Sequence, residues 1–245
     1  MASVLAEGVT VIENAAREPE ITDLANFVSQ MGAQIEGVGT SRLTIKGVET
    51  LTPVTYSVIP DRIEAATYLS ALAVCGGQIR LRGARPDHME MLLRKLEEMG
   101  MNLEEDDSGL RAEVTGRLEA VDVSTLPYPG LATDYKPFLV AALTVAHGAG
   151  MVTENIFAGR FRYIDELVRM GAEIRAEGRH AVVRGVDRLS GAPVRAHDIR
   201  AGAALVIAGL AADGETVISN AHHVDRGYED LAGKLSSVGA KVART

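Results

Sequence analysis

Hydrophobic and polar residues alternate in four short stretches of the chain, and each stretch leads into an amphipathic helix. Alternation with a period of two predicts strands, whereas apolar residues at helical spacing, such as Ile21, Leu24, Val28 and Met31, predict one face of a helix. The alternating stretches are 6–15, 74–84, 146–155 and 212–221. The recurrence of this order predicts four copies of one structural unit.

Each amphipathic helix is predicted to end at a glycine. Gly32, Gly100, Gly171 and Gly239 follow the four helical patterns and are spaced 68, 71 and 68 residues apart. Glycine is common after helices because it adopts the left-handed conformation without steric cost. A further short strand is predicted after each glycine, beginning at residues 33, 101, 172 and 240.

The three later copies also have a front half, in which a strand precedes a helix that is apolar nearly all round. Such strands are predicted at 55–59 and 193–196, and such helices at 63–75, 137–147 and 201–212. A helix without a polar face must be buried on most sides. The sequence therefore predicts an α/β fold of repeated βαβαββ units, each of about 68 residues, with buried helices.

The first copy has no front half. Residues 1–8, "MASVLAEG", supply only the end of a buried helix. By comparison with its own repeat, the chain is expected to begin in mid-unit, as the downstream part of a longer protein. The alternative is a repeat protein with an atypical terminal cap, but a cap should present a polar face, and "MASVLA" does not.

Composition and charge exclude several classes of function. The net charge of −8 and the absence of tryptophan argue against a nucleic-acid partner. The most apolar stretch, 201–212, is too short to cross a bilayer. The single cysteine, Cys75, excludes an internal disulfide, fits a reducing cytoplasm and is expected to be a small core residue.

Charged residues gather where strands give way to helices. The front junctions are 60–65, 132–137 and 197–202, and the rear junctions are 15–20, 84–88, 158–163 and 223–229. Free N–H groups at a helix start and a nearby arginine fork both suit phosphate or carboxylate. This pattern predicts an anionic ligand, with Asp134, Asp198 and Asp225 as candidate bases or as partners that orient arginines.

The ordinary role of an aspartate at such a junction is to cap the helix. An arginine lies within two residues of Asp61, Asp198 and Asp225, which favours a ligand site at these places. Asp134 has no such arginine, so its spacing alone favours a cap. His222 and His223 have no further residues at metal-ligand spacing, and no metal site is predicted.

Several stretches together resemble the enolpyruvyl transferase family, and within it the UDP-N-acetylglucosamine 1-carboxyvinyltransferases. They are "ENAAREPEI", "IPDRIEA", "TENIFAGRFRYIDELVRMGA", "RAHDIRAGAALVIAGL" and "HVDRGYEDL". The resemblance covers essentially the whole chain. The shikimate-pathway enolpyruvyl transferase is the alternative relative by fold, but "ENAAREPE" and "DRGYE" favour the sugar-nucleotide branch.

The resemblance implies an inside-out α/β fold of two domains, each of three βαβαββ units. Residues 1–57 would be the last unit of one domain, and 58–245 the three units of the other. It also implies transfer of enolpyruvyl from phosphoenolpyruvate to the 3-hydroxyl of UDP-N-acetylglucosamine, the first committed step of peptidoglycan synthesis. Phosphate is released, and neither a cofactor nor a metal is implied.

The resemblance further assigns roles to individual residues. Asp134 would be the base at the sugar hydroxyl, against its interpretation as a cap, and Asp198 would be an orienting carboxylate. Arg200 and Arg226 would hold the phosphate and carboxylate of phosphoenolpyruvate. The remaining candidates for substrate binding are Arg160, Arg62 and the aliphatic Ile156.

The family's Lys-Asn pair, its loop with an acid residue and most of its uridine pocket have no counterpart in this sequence. The chain alone is therefore expected to be inactive. Val4, Leu5, Val28 and Met31 are expected to be exposed, which would favour self-association or an upstream polypeptide partner. The alternative is a non-catalytic module that binds anions or nucleotide sugars.

Overall fold

The computed structural model describes residues 1–244, which form two compact units. One comprises residues 1–60 with 127–129, and the other comprises 61–126 and the chain from residue 130 onwards. The assignment of residues 1–57 and 58–245 to two domains stays a prediction.

The first unit is a three-stranded antiparallel sheet with one helix. Its elements are a 3-10 turn (Ala2–Leu5), β1 (Val9–Glu13), α1 (Pro19–Gln30), β2 (Gln34–Glu36) and β3 (Arg42–Lys46), with β3 between β1 and β2. Val4 and Val28 are buried in its small core, because the 3-10 turn packs on β3. The expected exposure of these two residues is therefore wrong, whereas Leu5 is exposed as expected and Met31 is half-buried.

Residues 55–59 do not form the predicted strand. The Tyr56 hydroxyl donates a hydrogen bond to Asp23 Oδ1 at 2.8 Å, and its ring lies 5.1 Å from that of Phe27. Both partners are on α1. The segment is thus held against a helix by one tyrosine, and it pairs with no strand among residues 1–244.

The second unit contains most of the regular structure. In chain order its elements are α2 (Arg62–Cys75), β4 (Gly77–Arg82), a 3-10 turn (Pro86–His88), α3 (Glu90–Glu98), β5 (Asn102–Asp106), β6 (Gly109–Val114), β7 (Val123–Ser124), α4 (Lys136–Leu143), β8 (Ala149–Thr153), α5 (Ile164–Arg169), β9 (Glu173–Glu177), β10 (His180–Arg184), β11 (Leu189–Ser190), β12 (Pro193–Arg195), α6 (Ile199–Leu210), β13 (Ala212–Asp213), β14 (Val217–Ser219), α7 (His222–Asp225) and α8 (Leu231–Ser237).

The elements from β7 to β10 form one complete βαβαββ unit. Its sheet has the order β7-β8-β10-β9, with β7 parallel to β8 and the other pairs antiparallel. The preceding copy forms the antiparallel sheet β4-β6-β5. The following copy contributes two short parallel pairs, β11 with β13 and β12 with β14. The repeated α/β architecture predicted from the sequence is confirmed.

Three helices form the centre of the second unit, as predicted. Helices α2, α4 and α6 contact one another pairwise, and all eight residues of α4 are buried. Their apolar side chains belong to one continuous core that extends from Ile63 to Leu235. The N-terminal ends of these helices carry the charged residues considered below.

The four glycines predicted to end helices adopt positive φ angles. They follow α1, α3, α5 and α8, with φ of 107° at Gly32, 104° at Gly100, 89° at Gly171 and 100° at Gly239. A left-handed residue stops a helix and redirects the chain. This prediction is confirmed.

Two local expectations are wrong. Residues 240–244 do not form the predicted strand. The corresponding strands after the other three glycines, β2, β5 and β9, each pair with the next strand along the chain. Residues 240–244 have no such next strand among the described residues. Cys75 is exposed, because α2 ends there and the chain leaves the core at Gly76.

Among residues 1–244, no helix combines the length and apolar character needed to span a membrane.

Candidate active site

Helices α2 and α6 are capped by the aspartate that precedes them. Asp61 Oδ1 accepts hydrogen bonds from the backbone N–H groups of Ile63 (2.7 Å) and Glu64 (3.2 Å). Asp198 Oδ1 accepts one from the Ala201 N–H at 2.8 Å. These carboxylates satisfy backbone donors that the first helical turn leaves free.

Asp134 does not cap α4. The N-cap position of this helix is Tyr135, and no side chain caps it. Instead, Asp134 Oδ1 lies 3.0 Å from Arg160 Nη2, and Oδ2 lies 3.6 Å from Arg200 Nε. The prediction of a cap from spacing is therefore wrong. The carboxylate is about one third exposed, at 34%, so a ligand can reach it.

The two arginines at Asp134 are held by further contacts. Arg160 Nη1 donates to Thr133 Oγ1 at 3.0 Å, and its guanidinium lies over the Phe157 ring. Arg200 Nη1 lies 3.5 Å from the Tyr228 hydroxyl, with the guanidinium 5.8 Å from the ring centroid. Such contacts restrict the guanidinium groups before any anion binds, which reduces the entropy cost of binding.

Tyrosines link the ends of the buried helices. The Tyr228 hydroxyl makes a 2.7 Å hydrogen bond with Thr67 Oγ1 on α2. Arg62 Nη1, also on α2, donates to the Tyr135 hydroxyl at 2.7 Å. Burial raises the pKa of Tyr228, so its hydroxyl stays protonated at neutral pH. Arg62 is itself buried and directed at Tyr135, and its role in substrate binding stays a prediction.

A fully buried ion pair lies beside the arginine cluster. Lys136 is 0% exposed and Glu154 is 1% exposed, with Nζ and Oε2 2.8 Å apart. Burial raises the pKa of Glu154, but hydrogen bonds from Lys136, Thr133, the Ile156 N–H and Thr125 outweigh burial and lower it to about 2. Burial lowers the pKa of Lys136, and the Glu154 carboxylate opposes this effect.

The other predicted site residues occupy different positions. Ile156 is half-buried, and its N–H donates to Glu154 Oε1 at 2.8 Å. Asp198 is exposed and serves α6 as its cap. Arg226 is exposed, without an ion pair to any of residues 1–244. A Cβ atom added at the adjacent Gly227 would lie 3.5 Å from Arg200 Nη1, whereas the role of the Arg226 side chain at this site stays a prediction.

Four residues of this network were not among the predicted site residues: Lys136, Glu154, Thr133 and Tyr228. A usable signal existed for the first of these. Lys136 begins a helix that is otherwise apolar all round, and a lysine buried in such a helix requires a negative partner. Glu154, at the end of β8, is that partner.

Within residues 1–244, no cluster of three or more histidine, cysteine or acidic side chains is arranged to hold a metal ion.

A family model described as EPSP synthase (3-phosphoshikimate 1-carboxyvinyltransferase) matches residues 1–235. The chain belongs to this enolpyruvyl transferase family. Curated relatives named UDP-N-acetylglucosamine 1-carboxyvinyltransferase are 52% identical to it in Granulibacter bethesdensis, over 100% of the chain and 58% of the relative, and 51% identical in Nocardia farcinica, over 100% and 57%. The chain thus spans somewhat over half the length of these family members.

Solved structures of the family have the same fold. The enolpyruvyl transferase NikO from Streptomyces tendae superimposes with a TM-score of 0.84 at 27% identity, covering 98% of this chain and 58% of that one. EPSP synthase from Acinetobacter baumannii gives a TM-score of 0.75 at 21% identity, covering 100% and 59%. The inside-out α/β fold expected from the resemblance is therefore confirmed.

Proposed function

We propose that this chain acts in the transfer of the enolpyruvyl group of phosphoenolpyruvate to the 3-hydroxyl of UDP-N-acetylglucosamine, in peptidoglycan synthesis. The observation that carries the proposal is Asp134, an aspartate at a helix start that caps nothing and lies between Arg160 and Arg200. This arrangement combines a proton acceptor with two cationic groups that suit an anionic substrate.

The proposed chemistry assigns one task to each group. Asp134 accepts the proton of the acceptor hydroxyl while that oxygen forms a bond to C2 of phosphoenolpyruvate, and the electron pair of the C2=C3 double bond takes up a proton at C3 from the acid residue that family members carry on a loop without a counterpart in this sequence. Loss of a proton from C3 then restores the double bond while the bond from C2 to the phosphate oxygen breaks, and phosphate leaves with the electron pair of that bond. Arg160, Arg200 and Arg226 hold the phosphate and carboxylate and stabilise the charge that develops on them. Asp198 and Arg62 belong to the proposed site as an orienting carboxylate and a substrate-binding group.

The sugar-nucleotide acceptor is supported by the names of relatives about 50% identical over the whole chain. Ile156 offers an aliphatic contact for that acceptor beside the arginines. The second candidate is an acceptor of the shikimate pathway, because the matching family model is described by that reaction. Both candidates use the same phosphoenolpyruvate chemistry and differ only in the acceptor.

A binding experiment separates the two acceptors. The chain is titrated by calorimetry with UDP-N-acetylglucosamine and with shikimate 3-phosphate, each in the presence and in the absence of phosphoenolpyruvate. We expect heat of binding with the sugar nucleotide and none with shikimate 3-phosphate. The opposite result would assign the chain to the shikimate branch, and binding of the sugar nucleotide that does not respond to phosphoenolpyruvate would support a non-catalytic binding module.

The proposal includes a cytoplasmic location, which is supported by a single cysteine that fits a reducing compartment. It includes no nucleic-acid or membrane partner and requires no cofactor. Self-association, or pairing with an upstream polypeptide, stays a prediction. Sedimentation of the purified chain over a range of concentrations tests the first of these.

A further inference from the structure

We propose that the buried Lys136–Glu154 pair is a positioning element that sets the place of Arg160 and of the Ile156 backbone, and through them the affinity for the anionic substrate. The pair itself does not reach the ligand. The identity of the ligand rests on the function proposed above, whereas the positioning of the 154–160 segment does not.

The pair fixes the main chain of the segment that carries Arg160. Lys136 Nζ donates a hydrogen bond of 2.7 Å to the Arg160 carbonyl oxygen. Glu154 Oε1 accepts hydrogen bonds from the N–H groups of Ile156 (2.8 Å) and Phe157 (3.1 Å). Three backbone groups of one loop are therefore bonded to two buried side chains.

The pair also fixes the Arg160 side chain, through Thr133. The Thr133 hydroxyl donates to Glu154 Oε2 at 2.7 Å and accepts from Arg160 Nη1 at 3.0 Å. A hydroxyl has one proton to donate. Because Thr133 donates this proton to Glu154, its oxygen is left to accept the hydrogen bond from Arg160. Thr133 precedes Asp134, so the same network holds both partners of the Asp134–Arg160 ion pair.

Stability alone does not account for this pair. Two charges lose their hydration on burial, and a well-packed apolar pair in the same place is often as stable or more stable. Lys136 lies in a helix whose other residues are all apolar, where an apolar residue would pack without this cost. What an apolar pair could not supply is a donor to the Arg160 carbonyl and an acceptor for Thr133 and two N–H groups.

The test compares K136M, E154Q and the double variant K136M/E154Q. The control is K95M/E98Q, the same pair of changes at the exposed ion pair Lys95–Glu98 of α3. Three quantities are measured: resistance to urea, the dissociation constant for phosphoenolpyruvate, and the rate of amide hydrogen exchange in residues 156–161. The control is expected to match the wild type in all three.

We expect each single variant to unfold at lower urea, because it leaves one buried charge unpaired. The double variant should regain much of this resistance. Its affinity for phosphoenolpyruvate should nevertheless fall at least about tenfold, and exchange in 156–161 should be at least about tenfold faster, because the charged hydrogen bonds that hold the loop are gone. Recovery of both stability and affinity in the double variant would show that the pair is only structural and would overturn the proposal.

Two cases in which this comparison could not be made are covered by other measurements. If the wild-type chain binds no phosphoenolpyruvate, the proposed function fails, and the exchange rates alone decide the positioning role: faster exchange in 156–161 supports it, and unchanged exchange overturns it. If the double variant does not fold, T133V serves instead, since it keeps the shape and removes only the link from Glu154 to the Arg160 side chain. Weaker phosphoenolpyruvate binding by T133V supports the proposal, and unchanged binding contradicts it.

Discussion

Helices α2 and α6 begin directly after an aspartate that caps them, whereas α4 begins two residues after its aspartate and is not capped by a side chain. The one extra residue, Tyr135, takes the N-cap position and lies in a turn, in which the N–H of Tyr135 bonds to the Ala132 carbonyl and the N–H of Lys136 to that of Thr133. A shift of one residue is enough to remove Asp134 from the cap position. The carboxylate then becomes available to Arg160 and Arg200.

An aspartate at the same place in the repeated unit can therefore either cap a helix or take part in the candidate site. A capping carboxylate directs its oxygen atoms at backbone N–H groups of its own helix. The Asp134 carboxylate instead faces two arginines at a partly exposed place that a substrate can reach. Substitutions at Asp134 and at the cap aspartates should therefore have different effects on activity and on stability.

The largest effect is expected from Asp134→Asn, measured as phosphate release from both proposed substrates with the chain joined to the upstream polypeptide that it is expected to need for activity. Loss of a general base typically costs about 10²–10⁴-fold in rate, so turnover should fall by that factor while the thermal midpoint changes little. Asp61→Asn is the matched control, because asparagine caps a helix as well as aspartate does. Equal activity of the two variants would remove Asp134 from the mechanism.

A second prediction concerns the pH dependence of stability at the α4 end. Glu154 has a pKa lowered from 4.5 to about 2, so its contribution to the free energy of unfolding is complete above pH 4.5 and is lost as the pH falls towards 2. This loss amounts to about 3 kcal/mol. Urea unfolding between pH 5 and pH 2 should show a shallower decline for E154Q than for the wild type. Parallel declines, with E98Q as control, would contradict the assigned pKa.

A third prediction concerns the arginines that Asp134 brings together. Arg200→Ala should weaken phosphoenolpyruvate binding at least about tenfold, because a charged hydrogen bond contributes about 1.5–3 kcal/mol. We expect the same loss for Arg226→Ala. Arg188→Ala removes an exposed arginine that is also paired with an aspartate, Asp213, and should leave binding unchanged. Calorimetric titration of the three variants tests this, and equal affinities would exclude the arginines as ligands.

The smallest expected effect is on stability, and it compares the two cap aspartates with Asp134 directly. Asp61→Ala and Asp198→Ala should each lower the free energy of unfolding by about 1 kcal/mol, because each removes a helix cap. Asp134→Ala should cost less than either, since no cap is lost. The three values come from urea titrations at neutral pH. A loss at Asp134 as large as the other two would mean that it caps α4 in solution.

The sequence predicted the parts of this fold that depend on local pattern. The glycine stops and the three apolar helices follow from spacing and hydrophobicity alone, and the structure confirms them. Strands were predicted less well, because 55–59 and 240–244 have strand-like patterns but pair with no strand in the part of the chain that the structure describes. A strand depends on its partner, and a local pattern does not reveal the partner.

The sequence indicated which charged residues belong to the candidate site but not which groups they contact. Spacing alone assigned Asp134 to a cap, since nothing in "ATDYKP" reveals that the helix starts at Lys136. The resemblance to a family corrected the role that the pattern had assigned. The Lys136–Glu154 pair was missed because its members are far apart in sequence and meet only when α4 packs beside the end of β8.

The arrangement of the buried helices also has a consequence for how the chain folds. Helix α2 starts at residue 62, but the helix that covers one side of it, α6, starts at residue 199. At a synthesis rate of about 5–20 residues per second, the intervening chain takes on the order of ten seconds to emerge from a ribosome. During that time α2 has no complete partner surface. We expect such long-range contacts to make folding slow, and the nascent chain to need protection from aggregation until α6 arrives.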